Sequence, residues 1–150
     1  MDYSIKIRDM EPIRVAAMHY AGKVMDAPKY IPEVFKSIRG KNNGAPFIGF
    51  LSMVDEKGEA DMLLCVPTQE TPSGHGIEII DFGACRAACL TYTGPYEAMQ
   101  PAYAAILGYM EENGLTLAPP CREVYIKGPG MIVKGNPNEY ITELVYPLED

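Results

Sequence analysis

The apolar positions of this chain change period in a fixed order, and the order occurs twice. Residues 14–20 and 86–92 are short apolar-rich runs, each followed by a glycine, Gly22 or Gly94, and each predicts a strand. Helical spacing comes next. Ile31, Val34, Phe35 and Ile38 share one face of a helix that Gly40 stops, and Met99, Tyr103, Ile106, Leu107 and Met110 share one that ends at Asn113-Gly114. Pro101 is expected in the first turn of the second helix, because deeper in it would cost about 3 kcal/mol. Strands are predicted over 47–54 and 62–66, then over 123–126 and 140–146, with turn chemistry at Asp55-Glu56-Lys57-Gly58 and Lys127-Gly128-Pro129-Gly130.

The parallel extends to residue identity. Residues 5–22 align without a gap on 77–94, an offset of 72, and seven of the 18 positions are identical, among them Asp9/Asp81, Arg14/Arg86, Tyr20/Tyr92 and Gly22/Gly94. Residues 59–67 align on 139–147 at an offset of 80, so the second half carries an insertion of eight. This predicts a duplicated β-α-β-β unit, about 5–67 and 77–148, joined by a linker at 68–76 within one domain. The fold class expected is α+β with pseudo-two-fold symmetry: helices on one sheet face, and a ligand cleft between the halves.

Charge and cysteine usage narrow the chemistry. The net charge of −7 argues against direct binding to nucleic acid. No apolar run is long enough for a membrane span, and the first eight residues lack the apolar core of a signal peptide, so a cytoplasmic protein without a membrane partner is expected. Cys65, Cys85, Cys89 and Cys121 form no C-x-x-C pair, and His19 and His75 complete no ligand set. The cysteines read as small buried hydrophobes, with neither metal nor cofactor expected.

Glu143 is the main candidate for function. Strand alternation puts Tyr140, Thr142, Leu144 and Tyr146 on one face and Ile141, Glu143 and Val145 on the other, while the repeat mate of Glu143 is Leu63. Two readings follow: a carboxylate facing a partly apolar cavity, or one at a sheet edge pointing into water. The aromatic residues Tyr92, Tyr96, Tyr125, Phe47 and Phe50 supply walls for such a cavity, with Glu123 on the same strand face as Tyr125. A site of that kind suits a flat, hydrophobic, often cationic organic molecule.

The stretch Thr91-Tyr92-Thr93-Gly94-Pro95-Tyr96-Glu97 followed by Ala102-Tyr103, and the ending Tyr140-Ile141-Thr142-Glu143-Leu144-Val145-Tyr146-Pro147, resemble the GyrI-like small-molecule-binding family. The same module is the effector-binding domain of regulators such as BmrR and Rob. The resemblance spans about Ile5 to Leu148 and implies a tandem β-α-β-β fold with a ligand cleft, in which Glu143 matches the family's pocket glutamate. It also implies three functions. The first is a stand-alone multidrug-like binding protein. The second is a hydrolase of electrophilic cyclopropanoid natural products, using Glu143 with Tyr125 as the catalytic pair. The third is an inhibitor of DNA gyrase, with gyrase or a regulator as protein partner. The chain departs from the family in having no tryptophan and in Gly83-Ala84 where Pro-Ala is usual, and no attached DNA-binding domain is expected.

Overall fold

A computed structural model of the chain describes residues 3–128 and 135–149. In chain order the elements are β1 (Ile5–Met10), β2 (Ile13–Lys23), α1 (Ile31–Ser37), β3 (Phe47–Phe50), β4 (Glu59–Pro67), β5 (Ile77–Phe82), β6 (Cys85–Thr93), α2 (Gln100–Glu112), β7 (Cys121–Lys127) and β8 (Ile141–Pro147). Short 3-10 segments, Val24–Tyr30 and Tyr96–Ala98, lead into the two helices. Both helices begin with a proline in the first turn, Pro32 and Pro101, where the missing N–H has no helical partner to lose. The fold is α+β, and every strand pairing is antiparallel. Of the segment where the second half is expected to carry its insertion, residues 129–134, including Pro129 and Gly130 of the expected turn, lie outside the described residues.

The chain forms two compact units, residues 11–84 and residues 1–10 with 85–150. In the first the strand order is β3-β4-β2-β5, and in the second it is β1-β6-β8-β7. Periodicity predicts six strands, and the described residues contain eight. The two it lacks are β1 and β5, the first strand of each expected unit. Both are six residues long and partly buried on both sides, Ile5 and Ile7 against Met10 in β1 and Ile77 and Ile79 against Ile80 and Phe82 in β5, so neither alternates cleanly. Each is exchanged: β1 pairs with β6, Ile5 opposite Leu90, and β5 pairs with β2, Ile80 opposite Val15.

In the second unit α2 covers one face of its sheet. Met99, Ala102, Ile106 and Met110 pack on Ala88, Leu90, Tyr92, Leu144 and Tyr146. The other face has its own small core of Ala87, Cys89 and Val145, with Met10 and Val124 packed against it. In the first unit α1 lies against β4 and β2, burying Ile31 and Val34, and Val15, Leu64 and Val66 are fully buried.

Both units contain one local device. Tyr20 and Tyr92 each fold over the glycine two residues ahead. A Cβ on Gly22 would lie 2.8 Å from the Tyr20 hydroxyl, and one on Gly94 2.7 Å from that of Tyr92. The hydroxyls then donate to the carbonyl three residues on, Lys23 O at 3.3 Å and Pro95 O at 2.8 Å. The repeated Tyr-x-Gly is thus a ring lying in the space a side chain would take.

Candidate functional site

Strand β7 runs beside β8 with Glu123 opposite Leu144 and Tyr125 opposite Thr142. Directly opposed residues share a face, so Glu123 and Tyr125 point to the side that α2 covers. Glu123 is only 5% exposed. The Tyr125 hydroxyl donates to its Oε1 at 2.9 Å, and Tyr103 of α2 donates to its Oε2. Burial raises the pKa of this carboxyl, and the two tyrosine hydrogen bonds act against that rise. Burial and the neighbouring carboxylate in turn push the hydroxyls of Tyr103 and Tyr125 well above their ordinary value.

More rings surround this pair of contacts. Tyr96 meets Tyr125 edge-on at 5.5 Å and lies 5.3 Å from Tyr140. Its hydroxyl, pushed up to about 12 chiefly by burial, sits where a side chain on Gly128 would stand. Tyr146 is raised by burial and by the charges of Cys121 and Glu123. One further polar group belongs to this face. Thr142, fully buried between Tyr92 and Tyr125 in the strand register, has no hydrogen-bond partner for Oγ1 among the described residues.

Glu143 lies one residue along β8 and therefore on the opposite face. It stands between Thr91 of β6 and Val124 of β7. Its Oε2 is 2.6 Å from an Arg8 guanidinium nitrogen, and its side chain is 15% exposed. The carboxylate shares this face with Val145 and Val124 and is held by a cation of its own chain. Burial first and Glu143 second push the nearby Cys89 thiol up to about 11.

The residues expected to form one site therefore fall on different faces. Glu143 and Tyr125, the expected catalytic pair, are separated by the sheet, because Tyr125 opposes Thr142 and the period of two turns the next residue away. Ile141 and Val145 accompany Glu143, while Glu123, Tyr125 and Tyr92 share the α2 side, with Tyr96 against Tyr125. Tyr92 is committed to packing over Gly94. Phe47 and Phe50 belong to the other unit, three residues apart on β3 and so on opposite faces, with Phe47 against Phe82 at 5.8 Å. Periodicity missed Tyr103, reading it as one more apolar position of α2. The hydroxyl it carries into a buried stripe was the available signal. Arg8 was missed because β1 was. The four cysteines are free, and no group of three potential metal ligands occurs among the described residues. No helix among them is long and apolar enough to cross a membrane.

The crystal structure of the EcmrR C-terminal domain superposes with a TM-score of 0.85 at 23% identity, over 100% of this chain and 99% of that one. Within EcmrR bound to DNA, the chain spans 58% of the protein's length. SAV2435 bound to tetraphenylphosphonium is similar at a TM-score of 0.66 and 16% identity, over 99% of this chain and 94% of that one. A hydrolase from Listeria innocua is similar at 0.65 and 12%, over 97% and 91%. None of the curated proteins is similar enough in sequence to count as a relative. The model of the GyrI-like small molecule binding domain matches residues 3–149, and the chain belongs to that family.

Proposed function

We propose that the chain binds hydrophobic, cationic small molecules at the tyrosine-enclosed carboxyl of Glu123, on the α2 side of its sheet. The observation that carries this is a carboxyl 5% exposed, contacted by two tyrosine hydroxyls and flanked by further rings. Burying an acid in an apolar core costs several kcal/mol, and a leucine here would pack without that cost. A cation that replaces the tyrosine hydroxyls would meet both a carboxylate in a poorly screened site and ring faces. Because the carboxyl is buried, entry requires Tyr103 or Tyr96 to move aside. That SAV2435 has been seen with tetraphenylphosphonium supports the choice of ligand class. Glu143 is the less suitable carboxylate, since Arg8 already neutralises it.

Titration with tetraphenylphosphonium tests the assignment. Glu123→Gln is expected to weaken binding by about 1–3 kcal/mol, the scale of a charged hydrogen bond. Glu143→Gln should leave it within experimental error. The reverse pattern would move the site to the other face.

A second reading shares the same residues. A carboxyl whose pKa is raised by burial can act as a general acid. Hydrolysis of an electrophilic substrate would then run through Glu123 with Tyr103 or Tyr125. Turnover of a strained electrophile, lost in Glu123→Gln with binding retained, would identify this activity.

A further inference from the structure

Five of the seven exposed large hydrophobic residues among those described lie in the 11–84 unit, and four of these gather at one end of its sheet. Leu51, Met53 and Val54 leave β3 for the connection to β4, and Met53 is 91% exposed. Backbone pairing continues past the strand, Leu51 N–H to Asp61 O at 2.8 Å and Asp55 N–H to Glu59 O at 2.9 Å. The end of β2 arrives alongside, with Lys23 opposite Glu59 and Val24 N–H donating to Gly58 O. That brings Met25, 59% exposed, to the same end.

An open depression of about 290 Å³ lies beside Met53, lined also by Gly22, Asp55, Glu59, Ala60 and Asp61. The ion pairs among the described residues involve none of Asp55, Glu59 and Asp61. Asp55 uses one oxygen to hold the turn, accepting from Lys57 N–H and Glu59 N–H. With Glu56, carboxylates outnumber the lysines of this end, Lys23 and Lys57, by four to two. Scattered exposed apolar side chains are ordinary, but several gathered at one end of a sheet beside an excess of carboxylates mark an interaction surface.

We propose that this end of the 11–84 unit docks a basic, apolar-bearing segment of another protein, with an arginine or lysine in the depression and flanking apolar residues on Leu51 and Met53. Charge selects among the possible occupants. A second copy docked across a two-fold axis would set the same carboxylates against each other, in a chain of net charge −7. Nucleic acid and anionic lipid are repelled for the same reason. A free small cation would satisfy the carboxylates and leave the apolar side chains uncovered. A segment carrying both kinds of residue covers both.

Fluorescence anisotropy with labelled pentapeptides and the intact chain tests this. Leu-Arg-Leu-Arg-Leu should bind on the order of tenfold more tightly than Leu-Glu-Leu-Glu-Leu or Gly-Arg-Gly-Arg-Gly, because both charge and apolar contact are needed. Met53→Ser and Asp61→Asn, both at exposed sites, should each remove most of that preference. Leu107→Ser, at an exposed position of α2, should keep it. The proposal is overturned if the glutamate peptide binds equally, or if neither surface substitution matters. Equal binding of the glycine peptide would assign the depression to a free cation. Self-association abolished by Met53→Ser would assign the surface to a second copy.

Discussion

Gly22 and Gly94 show how one residue type carries different energetic weight at matched positions. Both make room for a tyrosine ring, but Gly94 also has φ +145, where side chains are strained, whereas Gly22 does not. Gly94→Ala is expected to cost about 1–3 kcal/mol, the scale of backbone strain at such a φ, with ring displacement in addition. At Gly22 the half-buried Tyr20 ring can swing outward, so Gly22→Ala should cost clearly less. Urea unfolding of the two variants checks the order, and equal losses would mean that the ring contact alone sets the requirement. The tyrosine and glycine were legible as repeated letters. That the ring lies on the glycine was not, because a sequence carries no rotamers.

At the scale of elements, the exchange of β1 and β5 is the feature that periodicity could not supply. Alternation identifies a strand by the contrast between its two sides, and β5 carries apolar residues on both, while β1 has only three in six. Helices α1 and α2 were legible because their stripes are long and their first turns carry proline. The exchange has a measurable consequence. Ile106 is fully buried in the core that α2 makes with β6 and β8. Ile106→Ala should destabilise by about 2–5 kcal/mol. In native-state hydrogen exchange, the amides of Ile5–Met10 should then accelerate together with those of β6. If they instead follow β2, their neighbour in sequence, the pairing of β1 with β6 is refuted.

Across the whole molecule the buried acid should govern how stability depends on pH. The folded-state pKa of Glu123 lies above the unfolded value of about 4.5, the shift arising first from burial. Its contribution is therefore complete below the unfolded pKa and is lost as pH rises through the folded value. Relative to Glu123→Gln, the wild-type chain should lose thermal stability as pH increases from about 4.5, the reference value for this carboxyl. A constant difference in Tm between the two proteins would exclude a buried, protonatable Glu123. The same linkage applies to the proposed ligand. A cation stabilises the ionised carboxylate, so its affinity should rise with pH over that range, with proton release detectable by calorimetry in buffers of different ionisation enthalpy.

What the sequence by itself determined is what rests on local order and composition. The α+β class, the two helices with their proline starts, the strands β2, β3, β4, β6, β7 and β8 and the family resemblance all follow from periodicity, turn chemistry and short motifs. The alternation along β8 was also sufficient to place Glu143 and Leu144 on opposite faces. Only the tertiary structure decided which of the two carboxylates lies among the tyrosines. Alternation says that two faces differ but not which one a helix covers, and strand register alone brings Tyr125 level with Thr142 rather than Glu143. Arg8 reaches Glu143 across 135 residues of sequence, and Tyr103 reaches Glu123 from a separate helix. Such pairings depend on chain-distant elements meeting, which no local pattern encodes.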